Sequence, residues 1–209
     1  MLYQVLNEVL GTTTKVRLLR VLLRLGSPVS AREAQRLAGV RSAQALGQAL
    51  TDLTNLGVLD RQVVGRVHLY RVRSGLDLDA PLRALFEAEG ERPDLLYDIV
   101  SAAVHEMAVA EDVRGVILYG SSARGDAGPK SDVDLLVVIR DPERQGRTED
   151  AMRQAEEQAA ERLGLRLSPY VISVQSLRSR YRSRDPLMLS IEQEGRRFFG
   201  DSFSEIIQW

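Results

Sequence analysis

After the threonines at positions 12–14, whose hydroxyls suit a helix cap, Val16, Leu19, Leu22 and Leu23 recur at helical spacing. Arg17, Arg20 and Arg24 line another face of the same helix. Ser30-Ala-Arg-Glu33 has the form of a capping box, in which the Ser hydroxyl meets the N3 amide and Glu33 reaches back to the cap amide. It predicts a short helix ending near Ala38-Gly39. A third helix is expected from Ser42, burying Leu46, Leu50 and Leu53 and turning Gln44, Gln48 and Thr51 outward until Asn55-Leu56-Gly57 stops it. Residues 58–64 and 67–72 are then β-rich arms around Gly65-Arg66, which reads as a hairpin turn.

The pattern changes beyond Val72. Asp79-Ala-Pro81 reads as a helix start, with Leu82, Leu85 and Phe86 on its apolar side, and Gly90-Glu-Arg-Pro93 is expected to break it. A second helix from Asp94 would turn Leu95, Ile99, Ala102, Ala103 and Met107 inward. Val113-Arg-Gly-Val-Ile-Leu-Tyr119 and Leu135-Leu-Val-Val-Ile139 are short apolar runs that predict buried strands. No internal repeat or low-complexity segment interrupts this order.

Charge divides the 209 residues unevenly. Positions 1–75 hold eleven Lys and Arg against four Asp and Glu, a net +7, and the remainder carries −8, giving −1 overall. A basic first third invites nucleic acid, although a solvated basic face would look the same. Cysteine is absent and only His68 and His105 are present, which excludes disulfides, a thiolate zinc site, a cysteine nucleophile and a histidine-rich metal site. Any metal must be held by oxygen. No basic leader precedes an apolar run, and no apolar run approaches the roughly 18 residues of a membrane span, so a soluble cytoplasmic protein with no membrane partner is the expectation.

Two short features carry chemistry. The strand ending at Tyr119 delivers the chain to Gly120-Ser121, where turn amides and the hydroxyls of Ser121 and Ser122 suit phosphate oxygens. Ser131-Asp132-Val133-Asp134 leads into the second apolar strand. Residues two apart on a strand share a face, so the two carboxylates would project together from Cα atoms roughly 7 Å apart, and a divalent cation would relieve their repulsion and lost hydration. An isolated Asp-x-Asp could equally cap a turn and end at a strand edge. The two features stand together as Gly120-Ser-Ser-Ala-Arg-Gly-Asp-Ala-Gly-Pro-Lys-Ser-Asp132-Val-Asp134.

That combined motif resembles the nucleotidyltransferase domain of the DNA polymerase β superfamily, especially its small minimal members, with their Gly-Ser, Arg-Gly and Ser-Asp-x-Asp. The resemblance extends more weakly through a helix from about Thr148 to Leu163, a strand from Leu167 to Val174, and the ending Ile191-Glu-Gln-Glu-Gly-Arg-Arg-Phe-Phe-Gly200. It implies that Gly120 and Ser121 hold the β- and γ-phosphates of a nucleoside triphosphate. Asp132 and Asp134 would be the catalytic carboxylates that bind Mg²⁺ or Mn²⁺. Arg124 would serve phosphate or tie the loop to a carboxylate, with Lys130 as a further phosphate ligand. The family's third carboxylate belongs on a later strand, yet Arg166-Leu-Ser-Pro-Tyr-Val-Ile-Ser-Val174 contains no acid. Ser168 and Tyr170 stand in that neighbourhood, and neither replaces a carboxylate as metal ligand and base; Asp126, Glu156, Glu157 and Glu161 could do so only through space.

The first third, in its order of helices and hairpin, resembles the winged helix-turn-helix domains of bacterial and archaeal regulators. The resemblance implies that Arg41, Ser42, Gln44 and Gln48 lie near bases and Arg61, Arg66 and Arg71 near phosphates or the minor groove. The expected architecture is α+β: a winged helix-turn-helix over 1–74, a helical connector over 75–110, and a nucleotidyltransferase-type mixed sheet flanked by helices over 111–209. Two functions follow. One is metal-dependent transfer of a nucleotide from a triphosphate to a hydroxyl, directed to DNA by the first domain. The other is a transcriptional regulator or antitoxin-like protein whose degenerate transferase domain binds nucleotide, a protein partner or a second copy of itself. Arg178, Arg180, Arg182 and Arg184 alternate, a spacing that would align them on a strand and scatter them around a helix.

Overall fold

A computed structural model describes residues 4–107, 109–128 and 130–208, and the chain divides into two compact units, Met1–Gly90 and Glu91–Trp209. The fold is mixed α+β, with two sheets among the described residues. Pro129, within the motif above, lies outside the described residues.

The first unit opens with α1 (Val5–Leu10) and α2 (Thr13–Leu25), the latter capped by the Thr12 hydroxyl, which accepts from the Lys15 amide at 3.2 Å. A two-residue strand, β1 (Val29–Ser30), leads into α3 (Ala31–Leu37), where the Ser30 hydroxyl accepts the Glu33 amide as the capping box requires. Ser42 caps α4 (Ala43–Asn55) in the same way, and Leu46, Leu50 and Leu53 are buried while Gln44 and Gln48 are exposed. Strands β2 (Leu59–Val64) and β3 (Val67–Val72) pair antiparallel around Gly65-Arg66, with Val64 opposite Val67. Gly65 has φ 60°, the left-handed value that this two-residue turn needs. β1 adds to the outer side of β3, giving the order β1-β3-β2.

One buried cation was not legible in the periodicity. Lys15 is 5% exposed, donates to the Glu8 carbonyl at 2.8 Å and pairs with Asp52 at 2.9 Å, so a single ammonium ties the last turn of α1, α2 and α4 together. Asp52 also accepts from the Gln48 amide at 2.6 Å.

Helix α5 (Asp79–Glu106) runs without interruption through Gly90 and Pro93, where the sequence predicts a break. The missing Pro N–H costs one intrahelical bond. Positions 87–91 and Pro93 itself are exposed, so carbonyls left unpaired there reach water. Its residues up to Gly90 belong to the first unit and those from Glu91 to the second.

In the second unit, β4 (Val113–Tyr119) runs directly into the short helix α6 (Gly120–Arg124), followed by β5 (Val133–Ile139). A 3-10 turn, Pro142–Arg144, precedes α7 (Gln145–Leu163), which returns the chain to β6 (Leu167–Ser173). Then come α8 (Val174–Arg182), α9 (Pro186–Glu194), β7 (Arg196–Gly200) and α10 (Phe203–Gln208). The alternating arginines therefore sit on and just after a helix and are scattered, not aligned. The strand order is β6-β5-β4-β7, with β5 and β6 parallel and the other pairs antiparallel.

Alternation along β5 decides the layers. Val133, Leu135, Val137 and Ile139 pack with the second half of α5 and with α7. Leu136 and Val138 face Leu177, Met188, Ile191, Phe203 and Ile206 from α8, α9 and α10. Each fully buried Leu or Ile contributes roughly 1.5–3 kcal/mol of transfer free energy. Asp134 shares parity with Leu136, so it belongs to the α8–α10 side, at the end of the sheet where β5 begins.

Lys15→Met should lower the melting temperature of the first unit, because Asp52 would lose the ammonium that holds its carboxyl below the usual carboxylate range, chiefly through the Lys15 hydrogen bond and then that of Gln48. A depressed folded-state value stabilises above the unfolded Asp value of about 3.9 and is lost as pH falls through the folded one. Thermal melts from pH 6 to 3 should thus show a shallower acid loss for Asp52→Asn than for the unaltered chain.

Candidate functional site

Tyr119 lies opposite Asp134 across the β4–β5 ladder, so the residue that follows it, Gly120, turns over the Asp134 carboxylate. Gly120 has φ 67°, and a Cβ placed there would lie 2.4 Å from Asp134 Oδ2. The turn and the carboxylate therefore fit one another only while position 120 has no side chain. Ser121 follows in α6, and its carbonyl accepts the amides of Gly125 and Asp126 at 3.0 and 3.1 Å, closing the loop. Ser131 closes the other end: its hydroxyl accepts the Gly128 amide at 2.9 Å, and its amide donates to the Gly128 carbonyl at 3.0 Å.

Asp132 and Asp134 flank Val133, which is buried on the opposite side of the sheet. The structure thus brings the two acids to one face. Burial and then the charge of Asp132 hold the Asp134 carboxyl above the usual carboxylate range, with Arg124 pulling the other way. Burial also raises the Tyr119 phenol, followed by the negative charge of Asp134 and by Tyr170. An oxygen-only pair of carboxylates under mutual repulsion fits one divalent cation, whose charge would remove that cost and whose other ligands would be phosphate or water oxygens. It is not a three-acid site: among the described residues no three of His, Cys, Asp and Glu gather in metal-binding geometry. In the parallel ladder the neighbour of Asp134 on β6 is Ser168, with Tyr170 opposite Leu136, so the residue beside Asp134 on β6 carries a hydroxyl and not an acid.

Three arginines around the site are already engaged. Arg124 donates to Asp126 at 3.2 Å and to both oxygens of Glu194 at 3.0 and 3.1 Å, tying α6 to the end of α9. Glu194 also accepts from Ser190 at 2.7 Å, and these bonds, Ser190 first and Arg124 second, keep its carboxyl below the usual range. Arg166, which the motif did not single out, pairs with Asp132 at 2.9 Å. Arg180 donates to the Tyr170 hydroxyl, stands over its ring with 5.6 Å to the centroid, and pairs with Asp185 at 2.7 Å. Lys130 is exposed, and its carbonyl accepts from Arg166 at 2.7 Å. These cross-strand and cross-helix pairs leave no periodic trace in a sequence. Only the absence of acid on β6 hinted that the charge arrangement here would be unusual.

On the first unit, Arg41 is exposed immediately before α4, Ser42 spends its hydroxyl on the helix cap, and Gln44 is exposed on the first turn. Gln48 is exposed, but its amide is bonded to Asp52. Arg61 lies on β2, Arg66 in the hairpin turn, and Arg71 on β3 within 3.6 Å of Asp60, which Arg73 meets at 2.8 Å. The exposed apolar residues Val63, Val64 and Val67 surround Arg66 at the hairpin tip. Among the described residues no helix is long and apolar enough to cross a membrane.

A family model described as a nucleotidyltransferase domain matches residues 101–191, an interval that includes β4, the Gly120 turn, both acids and β6. No curated protein sequence matches the chain. Among solved structures, one described as the crystal structure of a toxin-antitoxin with AMP-PNP is similar over 54% of this chain and 81% of its own, at 13% identity and a TM-score of 0.35.

Gly120→Ala should displace the Asp134 carboxylate and cost about 1–2 kcal/mol for a non-glycine residue at positive φ. The expected result is a chain that still melts cooperatively but at a lower temperature, whereas Gly128→Ala, whose added Cβ would meet only Ser131 Oγ at an ordinary 3.9 Å, should melt close to the unaltered chain.

Proposed function

We propose that the chain is a metal-dependent nucleotidyltransferase, with Gly120 and Ser121 receiving the terminal phosphates of a nucleoside triphosphate and Asp132 and Asp134 receiving Mg²⁺ or Mn²⁺. The observation that carries this reading is the fit of Gly120 over Asp134, with Asp132 on the same face. The match of residues 101–191 to a nucleotidyltransferase domain supports it independently. When bound, the divalent ion would supply charge neutralisation for the phosphates. The remaining work belongs to the chain: the turn amides orient the phosphates, and the paired acids hold the charge that the triphosphate brings with it. In the transfer, an acceptor hydroxyl oxygen forms a bond to the α-phosphorus. The bond from that phosphorus to the bridging oxygen breaks, pyrophosphate leaves with its electron pair, and the hydroxyl proton passes to water.

The serine beside Asp134 favours a second reading, a DNA-binding regulator or antitoxin-like protein in which the same pocket binds nucleotide without transferring it. Ser168 cannot accept the hydroxyl proton at neutral pH as a carboxylate would. Loss of that acid slows chemistry more than it weakens phosphate contacts, so nucleotide binding is common to both readings. In either case the first unit acts as a winged helix-turn-helix on DNA. Arg41 and Gln44 at the exposed start of α4 would read bases, and Arg61, Arg66 and Arg71 would meet phosphates. Ser42 and Gln48 serve more as supports there, since their polar atoms cap α4 and hold Asp52.

Each labelled triphosphate, with Mg²⁺ or Mn²⁺ and cell extract, should label an acceptor with the unaltered protein and not with Asp132→Asn/Asp134→Asn. Absence of label together with tight triphosphate binding would leave the regulator reading in its place. The logarithm of DNA affinity of the intact chain should fall linearly with log salt, Arg66→Gln should reduce the steepness of that slope by about one as a lost phosphate contact, and Arg41→Gln should relax base preference. Affinity insensitive to Arg41, Gln44 and Arg66 would sink the assignment of this surface.

A further inference from the structure

Resting on the reading of Asp132 and Asp134 as metal ligands, we propose that Arg166 is a built-in counter-ion that pairs with Asp132 until a ligand arrives. It hands that carboxylate over when a metal-bound triphosphate enters, and its own charge then passes to the phosphates. The site would accordingly take up metal well only together with the triphosphate.

The local charge count motivates this. Two carboxylates face the site, and β6 contributes no third, because Ser168 stands beside Asp134. Arg124 is held by Asp126 and Glu194, and among the described residues the cation paired directly with one of these two carboxylates is Arg166, at 2.9 Å from Asp132. Its second nitrogen donates to the Lys130 carbonyl at 2.7 Å, which sets the guanidinium against the loop that ends in the two acids. The Arg166 carbonyl accepts the Val133 amide at 2.8 Å. The backbone at 166 is therefore locked to the residue between the two acids, while its side chain is 68% exposed, so water competes for its guanidinium. A fixed base with a solvent-exposed charged head is what an exchange of partners requires.

The electrostatics favour the exchange in one direction. With Arg166 in place, one of the two carboxylates is neutralised, and a bare divalent ion must displace a cation to gain its second anionic ligand. A triphosphate changes the balance, because it carries several negative charges and guanidinium groups bond phosphate oxygens bidentately. The displaced arginine then has a better partner than the one it left. An exposed ion pair is weak enough to make the exchange reversible. Asp134 is differently placed: it is half-buried beneath Gly120, and Arg124 acts on it only through space. The two acids would thus be unequal, Asp134 standing open to a cation and Asp132 becoming available on demand.

The test uses the full chain and two probes that need no knowledge of the base or acceptor: Mn²⁺ alone, followed by its paramagnetic resonance, and Mn²⁺ with inorganic tripolyphosphate, followed by calorimetry. Arg166→Gln should bind Mn²⁺ alone about two- to five-fold more tightly, the range of an exposed ion pair. It should bind the Mn²⁺–tripolyphosphate complex at least about five-fold more weakly, the loss of a charge-assisted phosphate contact. Arg166→Lys should stay near the unaltered chain in both. In an Asp132→Asn background the Arg166→Gln tightening should vanish, because the pair it relieves is gone. Unchanged or weaker Mn²⁺ binding by Arg166→Gln overturns the counter-ion, and unchanged binding of the complex overturns the transfer of charge; the metal reading survives both results. If neither the unaltered chain nor Arg166→Gln takes up Mn²⁺ in either form, the metal reading fails and the inference falls with it.

Discussion

Two carboxylates held on one face at the head of an apolar strand are the constraint around which the second unit is arranged. Left alone they repel, and the more buried of them, Asp134, is pushed toward its neutral form by burial and by its neighbour. They stay together because β5 is a central strand, paired on one side with β4 and on the other with β6, so the backbone cannot relax by sliding or twisting away. The buried faces of Leu135, Leu136, Val137 and Val138 anchor that register on both sides of the sheet. A one-residue slip would drive Asp134 into the apolar layer of α5 and α7.

Gly120 depends on the same register. Only because Tyr119 is opposite Asp134 does the next residue pass directly over the carboxylate, and only a glycine can pass so closely with φ at 67°. The Gly120 turn and the Asp134 carboxylate are thus not two motifs that happen to be near in sequence. They are two sides of one strand pair, and each limits what the other may be.

Local cations then divide the labour of holding charge. Arg124 is committed to the carboxylates of Asp126 and Glu194, a bond that fixes α6 against α9 and leaves only a through-space pull on Asp134. Arg166 meets Asp132 from an exposed position. The first unit solves a related problem differently: Lys15 is buried, so its ammonium is surrounded by the Glu8 carbonyl and Asp52. Burying an ammonium without such partners would cost several kcal/mol, and the same contacts draw three helices together. The exposed pair can exchange partners, and the buried one cannot without opening the core.

Helix caps at Thr12, Ser30 and Ser42, the Gly65-Arg66 hairpin, the strands around Gly120 and the pairing of Asp132 with Asp134 on one face were all legible in the chain, because each depends on residues within a few positions of one another. The missing acid on β6 was legible for the same reason, as an absence within one segment. Other features depended on the tertiary structure. Solvent along the exposed turns let α5 continue through Pro93 where propensity predicts a break. The pairing of Asp52 with Lys15, Asp132 with Arg166 and Arg124 with Glu194 joins residues separated by tens of positions, and Tyr119 faces Asp134 only through strand register. Sequence determines which charges are near the chemistry through local geometry; which of them are neutralised, and by what, is decided by long-range packing, since electrostatic partners are chosen by distance in space and carry no period along the chain.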